Sequence, residues 1–117
     1  MIREKNGDIT DSKNLGDHDE HGLNTEVRGD VLIVVGDIDL YVAADFRSIS
    51  EKYVVDHDSA VIDLMGVPFL DSAGLAALLS VARVARSHEH SLRVRATGNP
   101  RRVLRITGVD RLVTVED

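Results

Sequence analysis

The rhythm of apolar and polar positions changes several times along the chain, and each change marks an element. Asn24 to Arg28 and Val31 to Val35 flank Gly29-Asp30, which predicts two strands joined by a tight turn. Gly36-Asp37-Ile38-Asp39 ends the second strand. Val42, Phe46, Ile49 and Tyr53 then recur at three- and four-residue spacing, which predicts an amphipathic helix over about 41–54. Ala60 to Leu64 is a short apolar run suited to a central strand. Pro68 bars helix immediately before the next segment. Leu75, Leu78, Leu79, Ala82 and Ala85 mark one face of a second helix over about 72–87. Leu92 to Ala96 alternates as a half-buried strand does. A third helix starts at Pro100 or Arg101 and stops at Gly108, and Leu112 to Val115 forms an edge strand.

Strand, strand, helix, strand, helix, strand, helix and a last short strand imply an α/β fold. The sheet is mixed but mostly parallel, with four to five strands and helices packed against it. Residues 1–22 stand apart. Their sizeable apolar side chains are Met1, Ile2, Ile9 and Leu15, and Asp and Glu outnumber Lys and Arg. Such a stretch buries too little surface to offset its ordering entropy, so it is expected to be a flexible acidic tail before one domain at 23–117.

Composition narrows the function. The formal charge is -6, and the rings are limited to two Tyr and two Phe. Both facts argue against binding nucleic acid, which needs a basic face or stacking platforms. Cysteine is absent, which removes disulfides and thiol chemistry. No apolar run is long enough to span a membrane, and the first residues carry no secretory core, so the expected location is the cytoplasm. Arg28-Gly29-Asp30 spells an adhesion tripeptide but reads as a hairpin turn in that setting. His88-Glu89-His90 has metal-ligand spacing without a third ligand, and reads as a solvated turn. Asp39, Asp63 and Asp71 fall at strand or helix ends, and Asp39 and Asp71 suit helix-cap or interface roles. No histidine or phosphate-binding loop accompanies them, so no enzyme, cofactor or metal site is expected.

The informative segment is Val61-Ile62-Asp63-Leu64 running to Asp71-Ser72-Ala73-Gly74-Leu75. A serine there stands where a long helix begins, with unpaired N–H groups and the positive end of the helix dipole. Ser72 can cap the helix, and a phosphate on it would meet the same donors. Gly74 would let a partner approach the serine closely. Ala73, Ala76, Ala77, Ser80 and Val84 form a face of small residues, either a flat docking surface or a wider buried stripe.

With Gly36-Asp37-Ile38-Asp39 and Ala43 upstream, and Thr97-Gly98, Val103-Leu104 and Thr107-Gly108-Val109-Asp110-Arg111-Leu112 downstream, this segment resembles the STAS-domain anti-sigma factor antagonist family. The resemblance covers roughly residues 23–115. It implies that Ser72 is the phosphorylated serine of a non-catalytic regulator. The unphosphorylated form would bind an anti-sigma factor with serine kinase activity and free its sigma factor. Phosphorylation by that kinase would end binding, and a phosphatase acting on phospho-Ser72 would restore it. The implied partner surface is Asp39, Asp71, Ser72, Ala73, Gly74, Ala76, Ala77 and Ser80. The chain departs from the family pattern at Val42, where a small hydroxyl residue is common, which leaves Asp39 to cap the first helix. It also departs at Met65, which replaces a frequent serine. A STAS-like module that senses a ligand or scaffolds an assembly without phosphorylation is the alternative.

Overall fold

The computed structural model describes residues 23–117, so the tail expected over 1–22 lies outside the described residues. Strands β1 (Asn24–Arg28), β2 (Val31–Val35), β3 (Ser59–Gly66), β4 (Ser91–Arg95) and β5 (Thr114–Glu116) form one sheet in sequential order. Helices α1 (Ala43–Asp56), α2 (Ser72–Ser87) and α3 (Gly98–Thr107) connect successive parallel strands, with a short 3-10 turn at Val109–Arg111 before β5. β1 and β2 are antiparallel and every later pair is parallel. The mixed, mostly parallel α/β sheet expected from the element order is therefore the observed fold.

Residues 29 and 30 close the hairpin, and Gly29 sits at φ 60, the left-handed conformation that favours glycine. Alternation then assigns the faces. Leu32 and Val34 of β2, Ala60, Ile62 and Leu64 of β3, and Leu92 and Val94 of β4 point into one buried core. Arg93 and Arg95 of β4 point to the opposite face, where both pair with Glu116 of β5. Gly108 ends α3 at φ 81, the left-handed stop expected of it.

Two helix faces differ from the sequence pattern. In α1 the residue buried beside Phe46 and Tyr53 is Ser50, whereas Ile49 is 39% exposed. In α2 the buried stripe is Gly74, Ala77, Leu78, Val81 and Ala85. That is the expected stripe turned by about one residue, or roughly 100°. The physical reason is close packing: small residues on the buried stripe let α2 approach the layer beneath, while Leu75, Leu79 and Ala82 stay partly buried at its flank. Side-chain size alone ranks those leucines as core; packing geometry does not.

Candidate functional site

The C-terminal ends of β2 and β3 lie side by side, and the loops leaving them are bonded to each other. Ile38 N–H donates to the Phe69 carbonyl at 2.9 Å, and Asp71 N–H donates to the Ile38 carbonyl at 3.2 Å. The pairing of β2 with β3 slips between Ile33 and Val35, whose partners are Asp63 and Gly66. This irregularity puts one extra residue into β3 and aims the loop of 67–71 toward α2. The Asp63 carboxylate holds the slip by accepting from Met65 N–H at 2.8 Å. From the far side, the Asn99 side chain accepts from Leu70 N–H at 3.0 Å, tying the start of α3 to the same loop.

The cap of α2 is Asp71, not Ser72. Asp71 is extended (φ -91, ψ -174), and its carboxylate accepts from Gly74 N–H at 2.9 Å. Ser72 is the first helical residue and is exposed. An extended Asp suits the cap position and satisfies one unpaired donor. The serine hydroxyl is thereby left outside the capping bond, on the solvent side of the positive helix end. Among the described residues, the N–H groups of Ser72 and Ala73 have no backbone partner, as expected of a helix start.

The residues expected on the partner surface divide into three groups. Ser72 and Ala76 are exposed one turn apart, and Asp39, Asp71 and Ala73 are half-buried beside them. Ser80 is half-buried and donates to Glu51 of α1 at 2.6 Å, so its hydroxyl serves the α1–α2 contact. Gly74 and Ala77 are buried within the domain. The role expected for Gly74, room for a partner's approach, is corrected: its missing side chain makes room for the Ile38 backbone. Asp39 accepts from Tyr41 N–H at 3.0 Å in the turn before α1, while Val42, the residue flanking α1, makes no side-chain cap.

Three further residues at this end escape a pattern-based reading. Leu40 is 72% exposed, Tyr41 74% and Phe69 46%, all at the turns that flank the starts of α1 and α2. Large apolar side chains held in solvent around a polar centre are the composition of a protein interface. In the sequence they are indistinguishable from core residues of the neighbouring elements.

Each of the three aspartates has a local partner of its own. Asp39 and Asp71 bond backbone N–H groups, and Asp63 also faces Arg95 at 3.9 Å. Among the described residues, no group of three or more His, Asp or Glu is placed to hold a metal ion. His88 and His90 point their Nδ1 atoms at the Val84 and Val54 carbonyls, at 3.0 and 2.8 Å. No described helix is long and apolar enough to cross a membrane.

Comparison with known proteins agrees with this architecture. A family model described as "Mlab, STAS domain" matches residues 21–114. The fold is similar to the crystal structure of an anti-sigma factor antagonist from Mycobacterium paratuberculosis, at 29% identity and TM-score 0.68, over 85% of this chain and 89% of that one. It is also similar to the Bacillus cell fate determinant SpoIIAA in its phosphorylated form, at 14% identity and TM-score 0.60, over 82% and 92% of the two chains. The anti-sigma factor antagonist SpoIIAA in its unphosphorylated form matches at 13% identity and TM-score 0.56, over 78% and 97%. These last two establish likeness of fold alone. No curated protein matches the chain.

Proposed function

The chain belongs to the STAS domain family, and from that premise we propose that it is a cytoplasmic anti-sigma factor antagonist switched by phosphorylation of Ser72. Its partner is an anti-sigma factor with serine kinase activity, and a phosphatase resets the switch. The observation that carries this reading is the placement of Ser72. It is exposed at the first position of α2, beside N–H groups that have no backbone partner, and it is free of the capping bond that Asp71 makes. A hydroxyl needed for the fold could not be modified without cost, and this one is not needed.

A phosphate at Ser72 adds roughly -1.5 to -2 charges at pH 7. The helix end supplies donors and a favourable field for it within the free domain. In a closed interface the same group sits next to the Asp71 carboxylate and loses water, so it opposes binding by repulsion and desolvation. The likeness to an anti-sigma factor antagonist at 29% identity supports the partner class, and the existence of a phosphorylated form of a protein with this fold supports the switch.

The test is direct. The protein is incubated with ATP and candidate kinase-type anti-sigma factors, and any phosphate is mapped by mass spectrometry. Transfer to Ser72, with binding retained by Ser72→Ala and lost by Ser72→Glu, is the expected result. No transfer from any candidate, with equal binding by both variants, would favour a ligand-sensing or scaffolding module instead.

A further inference from the structure

The stretch 67–71 that leads into Ser72 is held from two sides. On one side it extends the sheet. Leu70 and Ile38 form a single parallel bridge, in which Ile38 N–H donates to the Phe69 carbonyl and Asp71 N–H donates to the Ile38 carbonyl. The N–H of Leu70 then points the other way, as alternate donors do along an extended segment, and a buried donor needs a partner there. The paired part of β4, the strand on that side of β3, ends with Arg95 opposite Asp63 and supplies none. A side chain takes its place. Asn99 Oδ1 accepts from Leu70 N–H at 3.0 Å across 29 positions of sequence, and Leu70 itself is buried.

The holder is better anchored than the segment it holds. Asn99 follows the end of β4, where Ala96 N–H donates to the Glu116 carbonyl of β5 at 2.9 Å. Pro100, the next residue, is buried, and its ring fixes its backbone angle at the start of α3. The cap position of α3 belongs to Thr97, so the Asn99 side chain does not serve as the cap of its own helix. In the held segment, by contrast, Pro68 and Phe69 are exposed.

We propose that Asn99 is a positioning residue for phosphoryl transfer to Ser72, acting through Leu70; the inference rests on Ser72 being the modified residue. In that transfer the Ser72 Oγ forms a bond to the γ-phosphorus of ATP, the bond from that phosphorus to the bridging oxygen breaks, and ADP leaves. The hydroxyl proton passes to a base of the kinase, and attacking and leaving oxygens must lie in line. Ser72 follows Leu70 by two positions, so the angle of the loop sets where its hydroxyl stands. Without the Asn99 acceptor the loop is held from the Ile38 side alone and pivots about that bridge. The exposed surface still meets the kinase, but the hydroxyl is in line for a smaller share of the time.

The test compares the full chain with Asn99→Ala, which lacks the acceptor, and Asn99→Asp, which keeps an acceptor oxygen and suits the start of a helix. Asn99 is exposed, so both variants should keep the parent's circular dichroism spectrum. Each serves as substrate for candidate kinase-type anti-sigma factors with ATP, and kcat and KM for transfer to Ser72 are measured separately. A merely structural defect lowers the concentration of folded substrate, which raises the apparent KM and leaves kcat unchanged. A positioning defect lowers kcat. Asn99→Ala is expected to lose about tenfold in kcat, and Asn99→Asp to return to within about threefold of the parent. Transfer to the parent with an unchanged kcat in Asn99→Ala, a loss confined to KM, or an equal loss of kcat in Asn99→Asp would overturn the positioning role and leave the switch at Ser72 standing. Absence of transfer to Ser72 in the parent itself would overturn the switch, and the role of Asn99 with it.

Discussion

The α-carbon of Gly74 faces the carbonyl oxygen of Ile38 so closely that an added Cβ would lie 2.6 Å from that oxygen. The same Cβ would lie 2.6 Å from Cδ1 of Leu70, so the obstruction comes from two sides and one of them is backbone. The Ile38 carbonyl already accepts from Asp71 N–H and holds the two loops together. It cannot retreat without loosening the start of α2.

Gly74→Ala is therefore expected to destabilise the domain by about 2–3 kcal/mol, at the upper end for an overpacked site. Helix propensity alone would favour alanine by about 1 kcal/mol, so the sign of the change separates the two explanations. Urea denaturation of the variant and the parent decides it, and equal or greater stability would mean that the loops are not in this contact.

Much of this site was legible in the sequence, and the exceptions share a cause. The strands, the turn at Gly29, the helix over 72–87 and the stop at Gly108 follow from local periodicity and turn chemistry, and the structure reproduces them. What local pattern could not supply was contact between distant segments. The reason for Gly74 lies 36 positions away at Ile38, and Leu70 is anchored by Asn99. The choice of Asp71 over Ser72 as cap depends on the backbone angles of the preceding loop, which that stitching sets. Leu40 and Phe69 are apolar by type, and only the fold shows that they face solvent.

Asp71→Ala and Ser72→Ala should differ in stability. Removing the aspartate takes away the bond to Gly74 N–H and the favourable charge at the helix start, at a cost of about 1 kcal/mol. Removing the serine hydroxyl takes away no capping bond and should change stability by less than about 0.5 kcal/mol. Thermal unfolding of both variants tests the assignment, and the reverse ranking would return the cap to Ser72.

Asn99→Ala leaves Leu70 N–H without its acceptor in a half-buried position, and Leu70 itself is buried. An unsatisfied donor there costs roughly 1–3 kcal/mol. The effect should be local. Amide exchange at Leu70 and Asp71 should accelerate more than exchange in β3, whereas uniform acceleration would show that the bond supports the whole domain rather than the loop.

Leu40 and Phe69 offer the clearest separation of binding from folding. Both are exposed, so Leu40→Ser and Phe69→Ser should each change stability by less than about 1 kcal/mol. If the loops that carry them meet the partner, each substitution should weaken anti-sigma factor binding by about tenfold or more, the range of an apolar anchor at an interface. Calorimetric titration provides the comparison, and unchanged affinity in both variants would move the interface elsewhere on the domain.

Tyr53 predicts how the fold responds to alkali. Its ring is 5% exposed and stacks on His57 at 4.1 Å, and its hydroxyl has no hydrogen-bond partner among the described residues. Burial raises the phenol above its ordinary value, the Asp30 carboxylate adds to this, and the nearby Val61 backbone opposes it weakly. A folded-state value above the unfolded one means that the native state favours the neutral phenol. Stability from this group is fully present below the unfolded value of about 10 and is lost as the pH rises through the folded value. Tyr53→Phe should shallow the loss of stability above pH 10. It should change stability near pH 7 by less than about 1 kcal/mol, because no bond is removed. Denaturant midpoints measured from pH 7 to 11 give the comparison; parallel curves for parent and variant would show that the alkaline loss arises from other groups.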